Sequence, residues 1–172
     1  MHVSWRMQHH GWAVCALGDE GARTEALVSY VADGPEEFLT AVARLLLGWS
    51  HTRVEFVAEP EAHRLIFHRD LTEVDVRLLH IRTRDLPDEA GTTVWTTRQP
   101  LTVLARAVIR AFDAVDEEQG EAGYLAAWQR PFPRAELAAL RTAWRGARGR
   151  RGRNSTRHDP APERNPAPSL KP

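Results

Sequence analysis

The chain has 172 residues, 42% of them hydrophobic and 27% charged, enough for one domain with a real core and far from a wholly disordered composition. Its single cysteine, Cys15, excludes an intramolecular disulfide and a cysteine-built metal cage, and no apolar run approaches the ~20 residues that span a bilayer. The formal net charge of +0 conceals a segregation: residues 1–144 hold 15 Lys+Arg against 21 Asp+Glu, and residues 145–172 hold 8 against 2.

The first ten residues carry Arg6 and three histidines, with no apolar stretch followed by a small-residue cleavage site, so a cytoplasmic location is expected. Residues 12–17 and 26–31 are short apolar runs separated by Gly18-Asp19-Glu20-Gly21, and glycine supplies the unusual φ of a tight reversal. They read as a β-hairpin. Asp33-Gly34-Pro35-Glu36-Glu37 then announces a helix: a cap, a proline in the first turn, and carboxylates at the positive end of the dipole. Phe38, Val42, Leu45 and Leu46 share one face, and Gly48 is placed to end the element.

Four strand signals follow. Residues 53–58, 64–68 and 73–82 alternate apolar with polar side chains, and residues 92–98 are β-branched around Trp95. At Leu78-Leu79 the apolar face changes sides, which predicts a bulge or a strand buried on both faces near its end. Gln99-Pro100 opens a second helix with the stripe Leu101, Leu104, Ala105, Val108, Phe112 and Val115, breaking near Gly120 or Gly123. A short helix would place Tyr124 and Trp128 on one side. Pro131-Phe132-Pro133 is an enforced extended break, and residues 134–144 resume as a helix with Leu137, Leu140 and Trp144 inward.

The expected fold is therefore α+β: a mainly antiparallel sheet of about six strands in the order ββ-α-ββββ-α-α, with helices packed on one face. It forms a single domain over residues 1–144. Residues 145–172, rich in Arg and Pro, bury too little apolar surface to offset their ordering entropy and are expected to be a disordered tail.

Chemical motifs are sparse. His68-Arg69-Asp70-Leu71 spells the start of a kinase catalytic loop, but the position that should hold a metal-binding Asn is Asp75, and a strand running into a turn explains the letters better. Ser29 and Ser50 lack a nucleophile elbow, and Cys15 lies inside an apolar run where a small core residue is the usual role. No histidine spacing gives three or four converging donors, so no metal, cofactor or catalytic residue is assigned. Carboxylate neighbours such as Glu59/Glu61 and Asp88/Glu89 read as solvated charge.

Two charged groups are candidates for contact. Asp116, Glu117, Glu118 and Glu121 form the densest acidic patch, and a body at −6 would attract a basic partner. In the tail, Arg148, Arg150, Arg151 and Arg153 are spaced to neutralise phosphates and make nucleic acid a second partner class, without the interleaved aromatics that stacking on bases requires. Of the six tryptophans, Trp95, Trp128 and Trp144 fit the core or its edge, whereas Trp5, Trp12 and Trp49 lie at element ends.

The pattern Gly120-x-x-Gly123-Tyr124-x-x-x-Trp128-x-x-Pro131-Phe132-Pro133-x-x-x-Leu137-x-x-Leu140, behind a sheet and an amphipathic helix, resembles small actinobacterial α+β proteins. Their layout is similar to that of the immunity proteins of bacterial polymorphic toxin systems. The resemblance covers residues 11–144 and implies a non-enzymatic inhibitor that binds a cognate toxin; it carries over no contact residue. Two alternatives stand beside it. One is a small-ligand-binding protein or enzyme whose site is assembled from separate strands, for which a pocket lined by His68, His80 and carboxylates would speak. The other is a nucleic-acid-associated protein acting through its basic tail.

Overall fold

The computed structural model describes residues 1–155, with side chains through Gly149. The elements are β1 (His2–Met7), β2 (Trp12–Gly18), β3 (Arg23–Ser29), α1 (Gly34–Leu46), β4 (His51–Ala58), β5 (Glu61–Asp70), β6 (Glu73–Ile81), β7 (Thr92–Pro100), α2 (Leu101–Trp128) and α3 (Arg134–Ser155). The strands form two antiparallel sheets, ordered β1-β2-β3 and β4-β5-β6-β7. The α+β class and the antiparallel pairing are as expected, with seven strands in two sheets where about six in one were expected.

The added strand is β1. It pairs with β2 in unbroken register from His2↔Gly18 to Met7↔Ala13. Val3 and Trp5 point into the core while His2 and Arg6 stay exposed. Trp5 is thus not at the end of an element but at the centre of the molecule. Its ring lies 5.7 Å from Phe56 of β4, 5.4 Å from Phe112 and 6.0 Å from Trp128 of α2. A single buried cluster joins the inner faces of both sheets to all three helices.

The β2–β3 turn forms where expected, though not through glycine. Neither Gly18 nor Gly21 has a positive φ. Instead Asp19 Oδ1 accepts the Gly21 and Ala22 N–H groups at 2.9 and 3.0 Å, an Asx turn in which the side chain stands in for backbone. At the start of α1, Asp33 makes no side-chain cap because its carboxylate pairs with Arg130 after α2. At the other end Gly48 adopts φ +116°. It donates to Leu45 O, and Trp49 N–H donates to Arg44 O, each at 3.1 Å, which satisfies the last turn's carbonyls.

Both readings of Leu78-Leu79 hold. Leu78 pairs with Trp95 but Leu79 with Thr93, leaving Val94 as the extra residue of a bulge on β7. Leu78 faces the main core. Leu79 turns outward into a small second cluster with Ala62, Ile66 and Ile81. Residues 82–91, including a one-turn 3-10 helix at Asp88–Ala90, fold back beside this face. Arg64, 4% exposed, fastens them. Its guanidinium donates to Glu55 at 2.7 Å, Asp88 at 2.9 Å, and the carbonyls of Arg84 and Leu86 at 2.6 and 2.7 Å. A buried charge is tolerated because nearly every N–H has an acceptor.

The backbone of α2 leaves helical geometry at Gly120 (φ 59°, ψ 179°), so Tyr124 and Trp128 belong to a re-aimed second segment and are both fully buried. The third helix does not stop at Trp144. It continues through Ser155, past the helix end expected at residue 144. Arginine is a good helix former, and Arg148 lies over the Trp144 ring one turn back at 4.9 Å. Residues 156–172 lie outside the described residues.

Candidate binding surfaces

The acidic patch divides in two. Asp116 and Glu121 are engaged by Arg134: two bonds of 2.9 and 3.0 Å reach Asp116, and Nε donates to Glu121 at 2.9 Å. Glu121 also accepts the Phe132 N–H at 3.2 Å. These two carboxylates therefore clamp α2 to the Pro131-Phe132-Pro133 break and the first turn of α3, a structural task rather than a free surface. Glu117 and Glu118 remain exposed, without an ion pair among the described residues.

Of the tail arginines, Arg148 stands on α3 with its guanidinium on Trp144. Arg150, Arg151 and Arg153 fall on the last turns of the same helix, and their side chains lie outside the described residues.

His68 and His80 do not share a pocket: His68 and its cross-strand partner His51 line a depression with Asp75 and Arg98, without His80. In β5 and β6, His68 lies opposite Asp75, on the outer face with Arg64 and Ile66, whereas His80 lies opposite His63 on the other face. His80 Nε2 is 3.1 Å from Glu61, and burial with the neighbouring His80 holds the His63 imidazole below its usual pKa. Among the described residues no group of three or more His, Cys, Asp or Glu is placed to hold a metal ion. Burial pushes the Cys15 thiol far above its usual range, so it stays protonated. The letters His68-Arg69-Asp70-Leu71 form the end of β5 and its turn, and Asp70 pairs with Arg98 at 2.7 Å. No helix among the described residues is long and apolar enough to cross a membrane.

The surface that sequence spacing did not reveal lies where α1 ends beside the β5–β6 hairpin. Arg69 ties the two together: its backbone N–H donates to Ser50 O, and its guanidinium donates to Leu45 O and Leu71 O, all at 2.8 Å. Three large apolar side chains stand out around this knot: Leu47 is 69% exposed, Trp49 55% and Leu71 82%. Arg44 lies over the Trp49 ring at 5.0 Å. The only sequence signal was Trp49 following a helix-ending glycine. Leu71 is joined to the end of α1 only through the fold, by the Arg69 guanidinium between the Leu45 and Leu71 carbonyls.

Leu71 is costly where it stands. Asp70 pairs with Glu73, so Leu71-Thr72 is a two-residue hairpin turn, and Leu71 takes φ +52°. Glycine is the preferred residue for left-handed backbone in such a turn, since a Cβ adds about 1–2 kcal/mol. The side chain of Leu71 buries almost nothing in return.

Comparison of the sequence with protein-family models and with curated proteins finds no match.

Proposed function

We propose that this chain is a non-enzymatic protein-binding domain, and that it acts as an immunity protein, a stoichiometric inhibitor that seats itself on a cognate bacterial toxin. The observation that carries this reading is the Leu47–Trp49–Leu71 patch. Tryptophan beside arginine is the composition of binding hot spots, and Leu71 occupies a position that the fold alone would give to glycine. A side chain kept against local backbone preference, at full exposure, is accounted for by contact with something outside the chain. The excess of acidic residues over 1–144 supports a basic partner drawn in by long-range attraction, to which the exposed Glu117 and Glu118 on α2 contribute.

The experiment is affinity purification of the intact chain from its native host, beside a Trp49→Ala form. A one-to-one partner is expected with the native chain. Because Trp49 is exposed, the variant should fold normally yet bind about thirtyfold more weakly, corresponding to ~2 kcal/mol for a hot-spot aromatic. Equal recovery by both forms, or no partner with the folded native chain, overturns the proposal.

A further inference from the structure

A groove of about 760 Å³ runs between β1 and α2. One wall is formed by the consecutive residues Met1 through Arg6; the other is a face of α2, with Trp144 and Arg148 of α3 closing one side. Two independent features meet in it.

The first is a free strand edge. In its sheet β1 has β2 on one side and, among the described residues, no strand on the other. Among the described residues, no backbone hydrogen bond outside the regular ladders begins or ends on residues 2–7. Edge strands are ordinarily blunted by proline, a bulge or a covering element. Here the register with β2 is unbroken and there is no proline. The helix beside it contributes Ala107, Ala111 and Ala114 to the groove, side chains short enough to leave width along the strand.

The second is uncompensated positive charge. Arg106 and Arg110 are one turn apart on the groove face of α2, both exposed and neither with a carboxylate partner among the described residues. Arg148 joins them from α3, stacked on Trp144. Arg6, by contrast, is paired with Glu25 at 2.6 Å, and Glu118 is the one carboxylate lining the groove among the described residues. Like charges at helical spacing oppose each other, so this pair brings the fold nothing by itself.

We propose that the groove is a strand-addition site: an extended, acidic segment of a partner protein pairs its backbone with the outer edge of β1 and lays carboxylates against Arg106, Arg110 and Arg148. This rests on reading the chain as a protein-binding domain, and adds the mode and chemistry of one contact. A nucleic acid fits less well. It has no use for a row of peptide N–H and C=O groups, and the exposed face of Trp144 on which a base would stack is taken by Arg148.

The test is a titration of the full chain with a fluorescent peptide alternating glutamate with valine. Saturable one-to-one binding is expected, weakened at least roughly tenfold by Arg106→Glu with Arg110→Glu, both exposed positions. Peptides N-methylated on one set of alternate amides should lose binding, while those methylated on the intervening set keep it. Absence of binding overturns the proposal, as does equal binding by the two methylated sets. So does equally tight, competing binding of a single-stranded homopolymer oligonucleotide, which would mark a general anion site. Should the peptide fail while Trp49-dependent capture of a partner persists, the groove falls and the protein-binding reading stands. Should the peptide bind in the expected way while no partner is ever captured, the groove stands and the inhibitor reading falls.

Discussion

Glu36 lies in the first turn of α1 with Oε2 buried and without a hydrogen-bond partner. Burial, reinforced by Glu136 and Glu37 and only partly opposed by its own backbone N–H, pushes its carboxyl above the usual range. Between the unfolded and the raised folded pKa the native state therefore holds more protons than the unfolded one. Stability contributed at low pH is lost as pH rises through that window. Replacing Glu36 by Gln removes the titration. Urea melts of the two forms should coincide at low pH and separate as pH rises, with the variant the more stable. The gap should stay under about 1 kcal/mol, because part of the side chain remains in water. A variant that is less stable at neutral pH would contradict this account. Glu36 looked from sequence like an ordinary N-terminal helix charge, which its half-buried place against α3 makes it not.

At the scale of elements, the break in α2 sets where Glu121, Tyr124 and Trp128 point. Gly120 has φ 59° and ψ 179°, a region essentially reserved to glycine, and no atom lies within 4 Å of where a Cβ would stand. The cost of Gly120→Ala is thus purely backbone, about 1–3 kcal/mol. Gly123→Ala, in helical backbone with only ordinary contact to Gln119, should instead stabilise by about 0.5–1 kcal/mol. Denaturant midpoints that move the same way for both would refute the kink's role. That break, both main helices and the bulge beside Leu79 were legible because each is written in neighbouring residues: periodicity, a glycine, an inverted alternation. The strand β1 was not read: Val3, Trp5 and Met7 alternate with His2, Ser4 and Arg6, but six residues ahead of a loop carry too little context to be taken as a strand. The length of α3 was hidden by composition, since its arginines and glycines look like a tail until Arg148 is seen on Trp144.

For the molecule as a whole, contact surfaces are made by tertiary proximity, which no spacing encodes. Of the four acidic candidates, the fold spends Asp116 and Glu121 on Arg134 and leaves Glu117 and Glu118 outside. It brings Leu47 and Trp49 at the end of α1 to Leu71 in a hairpin turn, held by Arg69. The interior is committed to packing, and the proposed function rests on exposed apolar and charged surface. Leu71→Gly separates these two roles in one residue. The most direct test is to measure its unfolding free energy and its affinity for the captured partner side by side. The account predicts a fold more stable by about 1 kcal/mol, from relief of the left-handed Cβ, together with weaker partner binding. Unchanged affinity in a stabilised Leu71→Gly protein would contradict it.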